Sequence, residues 1–247
     1  ERAMSYFDGF VLAVPEANRA AFIDHANQAD AFFLDHGAVR VVESWGDEVP
    51  RGTLTDFYGA VQATEDEAVV FSWVEWPDRA TRDKGMPAFM ADERLSAIPD
   101  MPFDGKRMIF GGFEAIADEG RSGDTGYADG YVLAVPEAKK DAYVALARKA
   151  APIFREHGAT RVVESWGVDV PDGQLTDFRR AVKAEAGEAV VFSFCEWPDK
   201  AARDAGWAKL MEDERMKPDE DQPFDGKRMF WGGFRPIVTI GAPVAEV

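Results

Sequence analysis

The chain is a tandem repeat in which residues 4–117 recur at 125–238, with a constant offset of 121 and no insertion or deletion. From position 4 to 116, 64 of the 113 aligned positions are identical. Each copy has the usual size of one domain and greatly exceeds the roughly 20–50 residues of a solenoid unit. We therefore expect two domains with their own cores, at 4–117 and 127–238, joined by a linker at 118–126.

Composition excludes several classes of protein. Apolar residues make up 46% and charged residues 30% of the chain, and no segment approaches the roughly 20 apolar residues of a membrane span. The net charge of -17 repels a phosphate backbone, so we expect no nucleic-acid partner. One cysteine, Cys195, leaves no internal disulfide and fits a reducing compartment. With no secretory signal evident, the sequence predicts a cytoplasmic protein without a membrane partner.

Each copy reads as alternating strands and helices. In the first copy, runs rich in β-branched and aromatic residues predict strands at 6–14, 39–45, 68–76 and 106–113, with a further short strand near 57–63. The first helix begins at Glu16 and ends at His36-Gly37, where glycine supplies the C-terminal cap. The second follows Asp78 as N-cap, and Pro87 predicts a break inside it.

The order strand-helix-strand-strand-helix-strand is that of a ferredoxin-like α+β domain, with one antiparallel sheet and both helices on one face. The other face of such a sheet needs a cover, and a second copy of the sheet supplies it. The sequence therefore predicts two ferredoxin-like repeats that face each other as an intrachain pseudo-dimer of the α+β barrel type. Whole chains could dimerise further.

Several motifs resemble one family. These are the opening run 5–15, His36-Gly37-Ala38, the apolar run 69–73 and the segment 101–112, all of which recur in the second copy with few changes. They are similar to the YbaA-like family, domain-of-unknown-function family 1428. The resemblance implies the dimeric α+β barrel shared with antibiotic-biosynthesis monooxygenases, muconolactone isomerases and haem-degrading enzymes, and it implies no established activity. A usual family member resembles one copy, so the tandem arrangement is a departure.

The two copies have diverged unevenly. Between 36 and 57, 17 of 22 positions match, and between 102 and 113, 10 of 12 match. In the first helix, 16–35, only 6 of 20 positions match. Packing against outer helices does not predict this contrast, so the repeated polar residues near the strands are candidates for a site.

The candidates fall into two sets. The predicted catalytic residues are an arginine, a glutamate and a histidine in each copy, namely Arg40, Glu43, His36, Arg161, Glu164 and His157. The predicted ligand-binding residues are Asp8, Trp45, Asp56, Glu75, Arg107, Asp129, Trp166, Asp177, Glu196 and Arg228. Arginine would orient an anionic or carbonyl substrate while glutamate takes a proton.

Structural alternatives exist for each set. The arginines and glutamates could instead be ion pairs at strand ends, and alternation puts Arg40 and Glu43 on opposite faces of the sheet. Both histidines lie in the last turn of a helix, where they could cap it. Aromatic residues near the strands could line a ligand-binding lumen or simply fill the barrel. The sequence has no His-x-His, His-x-x-His or Cys-x-x-Cys motif, so we expect no metal and no cofactor.

Two classes of function remain open. One is a cofactor-independent enzyme of the monooxygenase or isomerase type, acting on a small aromatic or carbonyl compound. The other is a non-catalytic small-molecule binding or stress-associated module. A barrel filled by side chains would argue against the enzyme, whereas a pocket of a few hundred Å³ with convergent arginine, glutamate or histidine would favour it.

Overall fold

Eight β-strands form the body of the protein. The computed structural model describes residues 4–120, 125–218 and 221–243. The first four strands are β1 (Tyr6–Pro15), β2 (Arg40–Glu48), β3 (Glu67–Trp76) and β4 (Ile109–Gly120). Their counterparts are β5 (Tyr127–Pro136), β6 (Arg161–Asp169), β7 (Glu188–Trp197) and β8 (Phe230–Gly241).

Seven α-helices accompany the strands in the described ranges. The first repeat has α1 (Arg19–Ala29), α2 (Ala31–Asp35), α3 (Phe57–Ala60) and α4 (Arg79–Met90). The second has α5 (Lys140–Glu156), α6 (Phe178–Ala181) and α7 (Lys200–Glu212). Short 3-10 helices lie at Glu16–Asn18, Glu93–Ala97, Gly105–Arg107, Glu137–Lys139 and Glu214–Met216. Among the described helices, none combines the length and apolar character of a transmembrane span.

The strands close into one antiparallel barrel in the order β1-β3-β2-β8-β5-β7-β6-β4. Within each repeat the order is ferredoxin-like, β4-β1-β3-β2 in the first and β8-β5-β7-β6 in the second. Two seams join the repeats, one where β2 pairs with β8 and one where β4 pairs with β6. The predicted α+β fold, with both repeats contributing to one barrel, is confirmed. A dimer of whole chains stays a prediction.

Aromatic side chains from both repeats fill the barrel. Phe71 and Phe192, which occupy equivalent positions, stack with ring centroids 4.5 Å apart, and Trp73 stacks on Phe194 at 4.0 Å. Asp8-Gly9 recurs because this packing needs a glycine: a Cβ on Gly9 would lie 2.7 Å from the Phe192 ring. The aromatic residues therefore pack as a core, which is the second of the two alternatives, and the filled barrel argues against an enzyme site in its interior.

Three predicted elements differ from the observed ones. Residues 57–60 form helix α3 and no strand, because Asp56 accepts a hydrogen bond from the Gly59 amide at 2.6 Å and caps the turn. The last strand of the first repeat begins at Ile109, after a 3-10 turn capped by Asp104. It runs on to Gly120, so 118–120 of the predicted linker lie in a strand, while 121–124 lie outside the described residues.

The predicted break at Pro87 is also wrong, because α4 continues through that residue. Pro87 is exposed, and so is Asp83, whose carbonyl loses its partner and can bind water instead. The helix that is interrupted is the first one of this repeat, which is divided at Asp30 into α1 and α2. The equivalent helix of the second repeat, α5, is continuous although it contains Pro152.

Candidate functional site

Four of the candidate residues meet inside the barrel as two ion pairs. The guanidinium of Arg161 forms two hydrogen bonds of 2.9 Å with the Glu75 carboxylate, and Arg40 Nη1 lies 2.8 Å from Glu196 Oε1. Each of these residues is at most 2% exposed. Arg161 also contacts Asp118 at 2.9 Å. Because each arginine pairs with the glutamate of the other repeat, these residues hold the two halves together.

Asp8 of β1 and Asp129 of β5 lie on the outside of the barrel, beneath α4 and α7 respectively. Asp8 accepts hydrogen bonds from Trp76 Nε1 at 2.7 Å and from the Arg82 guanidinium at 2.8 Å. Asp129 is bound in the same way by Trp197 and Arg203, at 2.8 and 2.7 Å. These contacts tie a helix to the sheet and leave the aspartates buried.

The other candidates lie at separate places around the barrel. Asp56 and Asp177 cap α3 and α6. Arg107 and Arg228 pair with Glu67 and Glu188 at 2.6 and 2.7 Å. Each histidine binds an aspartate that follows the second helix, with His36 2.8 Å from Asp92 and His157 2.8 Å from Asp213. Trp45 and Trp166 pack on the outer face of the sheet, against Phe22 and Tyr143.

A cavity of about 530 Å³ lies between α5 and the outer face of the second repeat's sheet. Its walls come from α5, β5, β6 and β7, and its edge from 215–218, 221–224 and Met229. Alanines and aromatic residues make most of the wall. The volume is typical of a small-molecule site, which is usually apolar with a few polar groups. Of the predicted catalytic residues, Glu164 lines this cavity.

Glu164 is held by two hydroxyl groups. Tyr143 Oη donates to Glu164 Oε2 at 2.7 Å, and Ser193 Oγ donates to the same oxygen. Within 4–120, 125–218 and 221–243, no side chain or backbone group hydrogen-bonds Oε1. Loss of hydration raises the pKa of the Glu164 carboxyl, while the two hydroxyls oppose that shift. The arrangement fixes the carboxylate and leaves one oxygen for a ligand.

Tyr131 contributes a second polar group to the cavity. Its hydroxyl is buried and has no hydrogen-bond partner among the described residues. Burial raises the pKa of this phenol well above its ordinary value, so the hydroxyl keeps its proton. A buried hydroxyl without a partner is costly, and a ligand oxygen would satisfy it.

The equivalent glutamate of the first repeat has a different environment. Glu43 accepts a hydrogen bond from Ser72 and interacts directly with the carboxyl of Asp30. Loss of hydration raises the pKa of Glu43 to about 7 and that of Asp30 well above its ordinary value. Two adjacent carboxyl groups cannot easily both ionise, so the pair holds a proton near neutral pH.

Stability should therefore fall as the pH rises through this range. Between the ordinary glutamate pKa of 4.5 and about 7, folded Glu43 keeps a proton that the unfolded chain releases. We expect the free energy of unfolding to drop by about 2 kcal/mol between pH 5 and 8 from this group. Urea denaturation at both pH values measures the drop, which Glu43→Gln should reduce by that amount. An equal drop in both proteins would contradict the assignment.

Sequence reasoning missed Tyr131, Tyr143, Ser193 and Ala151 as parts of the cavity wall. Three of the four differ from the residue at the equivalent position of the first repeat. That residue is Phe10 for Tyr131, Phe22 for Tyr143 and Asp30 for Ala151. A comparison of the copies shows these three differences, but only the fold places them near Glu164. In the part of the chain that the structure describes, no group of three or more His, Cys, Asp or Glu side chains is placed to hold a metal.

Solved structures share this fold. A proposed monooxygenase from Lactobacillus acidophilus matches with a TM-score of 0.60 and 10% identity, over 98% of this chain and 100% of that one. One from Fusobacterium nucleatum matches at 0.55 and 10% identity, over 98% and 96%. An anthrone oxidase-like protein matches at 0.56 and 14% identity, over 98% and 94%. At these identities the likeness shows the fold alone.

Sequence relatives are closer but shorter. The uncharacterized protein YbaA of Escherichia coli is 60% identical over 113 residues, which is 45% of this chain and 97% of that protein. The Shigella flexneri protein of the same name matches to the same extent. The profile of the family described as "Protein of unknown function (DUF1428)" matches twice, at residues 5–105 and 126–226. The chain thus belongs to the DUF1428 family and carries two copies of its domain.

Proposed function

We propose that the chain is a cofactor-independent enzyme that moves a proton on a small aromatic or carbonyl compound bound beneath α5. The observation that carries the proposal is the state of Glu164. Its Oε2 is held by Tyr143 and Ser193, while its Oε1 is left for a ligand in a cavity of about 530 Å³. A carboxylate whose pKa is raised by loss of hydration is a stronger base than one in water.

The chemistry that fits these groups is proton abstraction next to a carbonyl. Glu164 takes a proton from the carbon, and the electron pair of the broken C–H bond moves onto the carbonyl oxygen to give an enolate. The Tyr131 hydroxyl donates a hydrogen bond to that oxygen and stabilises its developing charge. Return of the proton to another carbon completes an isomerisation. A monooxygenase reaction would require molecular oxygen as a co-substrate to accept the electrons of the enolate.

The names of the solved structures agree with such a role. Two are proposed monooxygenases and a third is anthrone oxidase-like, and all three share the barrel with TM-scores of 0.55–0.60. Fold likeness alone does not assign a reaction, so the proposal depends on the geometry at Glu164.

A non-catalytic binding module is the second candidate. The mainly apolar cavity wall favours it, because such a wall binds a flat organic molecule whether or not a reaction follows. The two candidates differ in one respect: only the enzyme speeds the exchange of a ligand's carbon-bound hydrogen with solvent.

Glu164→Gln should abolish proton transfer while the fold is kept. The probe is 2-tetralone in D₂O, whose α-hydrogens exchange through an enol, and NMR follows their loss. We expect the wild-type chain to speed this exchange and the variant to lose at least about 100-fold of the acceleration, since an amide cannot accept the proton.

The fold of the variant is checked by its thermal midpoint and circular dichroism spectrum. A second titration uses 2-naphthol, which resembles the enol of 2-tetralone. If the wild-type chain binds 2-naphthol through Glu164 and does not speed exchange, the binding module is correct. If it binds neither compound, or if Glu164→Gln changes neither binding nor exchange, the site itself is wrongly placed.

A further inference from the structure

We propose that each chain carries one ligand site, in the second repeat, and that position 151 decides this: Ala151 leaves the site open, whereas Asp30 occupies its counterpart. This inference rests on the proposed function at Glu164. It goes beyond it by assigning different roles to two repeats whose strands are nearly identical.

The first step is the contact between Asp30 and Glu43. Asp30 is only 8% exposed, and its carboxyl interacts with that of Glu43, the glutamate that corresponds to Glu164. Its own Oδ2 has no hydrogen-bond partner among the described residues. Glu43 thus already has an acidic partner inside the protein, and a ligand would have to displace that carboxyl to reach it.

The second step is the replacement of this carboxyl by a methyl group. Ala151 is fully buried and lines the cavity, at the helix position that is equivalent to Asp30. The helices also differ, because the first repeat is interrupted at Asp30 whereas α5 runs unbroken from Lys140 to Glu156. Because alanine has no carboxyl group, position 151 places no acid beside Glu164 and leaves space there.

The third step concerns two hydroxyl groups that only the second repeat has. Tyr131 and Tyr143 correspond to Phe10 and Phe22. Phe10 stacks on Phe110, and Phe22 packs against Phe103 as Tyr143 packs against Phe224, so the hydroxyl groups are what distinguishes the second repeat. The second repeat thus presents a carboxylate, a phenol whose hydroxyl has no partner among the described residues, and apolar walls. This set selects an uncharged apolar ligand with a hydroxyl or carbonyl oxygen.

Titration calorimetry with 2-naphthol tests the inference. We expect one molecule bound per chain, affinity unchanged in Glu43→Gln, and affinity reduced about 10- to 100-fold in Ala151→Asp, because the new carboxyl takes the place of the ligand at Glu164. Two molecules bound per chain, or an equal loss in Glu43→Gln and Glu164→Gln, would overturn it.

A gain-of-binding variant distinguishes the loss of a site from the misfolding of a variant protein. The changes Asp30→Ala, Phe10→Tyr and Phe22→Tyr are combined in a Glu164→Gln chain, whose own site is disabled. We expect this protein to bind one 2-naphthol, and a further Glu43→Gln change to remove that binding. No binding by the combined variant would overturn the role given to position 30, while the proposed function would stand if Glu164→Gln alone weakens binding to the wild-type site.

Discussion

Arg161→Met should destabilise the protein by about 3–5 kcal/mol, because it leaves the carboxylate of Glu75 buried without its cation. Arg161 and Glu75 are 2% and 0% exposed and share two hydrogen bonds of 2.9 Å. The double change Arg161→Met with Glu75→Leu should recover most of the loss, since it removes both buried charges and keeps the volume, while Asp118 is 18% exposed and can be hydrated. Urea denaturation of the two variants and the wild-type chain measures these differences.

An exposed ion pair provides the control. Lys217 lies 2.6 Å from Glu214, with side chains 66% and 79% exposed. Lys217→Met should cost less than about 1 kcal/mol, because water screens such a pair. If Arg161→Met costs no more than this control, the buried ion pairs do not hold the repeats together.

Phe192→Ala should cost about 3–5 kcal/mol, because the cavity it leaves lies at the centre of the barrel. The Phe192 ring is fully buried and lies 4.5 Å from Phe71 of the other repeat and 5.1 Å from Phe113. Since these rings belong to one cluster, unfolding should remain a single transition when followed by both fluorescence and circular dichroism.

The matched control for this variant is Phe110→Ala. Phe110 is 48% exposed, so its loss should change the free energy of unfolding by less than about 1 kcal/mol. Two separate transitions in the Phe192→Ala protein, one for each repeat, would show that the halves have independent cores and would contradict the shared one described above.

Sequence reasoning predicted the fold because its signals are periodic and repeated. Strand alternation, Asp78 as N-cap and the glycines after His36 and His157 each have a local cause; Gly37 and Gly158 adopt φ values of 103° and 107°. The helix interruption escaped prediction because Asp30 has no local breaking signal, and Pro87 was wrongly expected to break α4 because its exposure to solvent is a tertiary property.

The site was harder to predict because identity between the copies reports shared structural demands. Asp56 and Asp177 match because both repeats need the same helix cap, and Arg107 and Arg228 match because each binds the equivalent glutamate of its own repeat. Glu164 matches Glu43 as well, so identity cannot tell which of the two faces a cavity. That distinction depends on residues from three other elements, which only the folded chain brings together.

The order of the strands also constrains how the protein is made. During synthesis the first repeat leaves the ribosome with both outer strands, β2 and β4, unpaired, and β6 reaches β4 well before β8 reaches β2. Because β8 is the last strand of the described chain, the edge of β2 stays open until translation has passed Gly241. An open edge can pair with other nascent chains, so β2 stays exposed to such pairing for longer than β4.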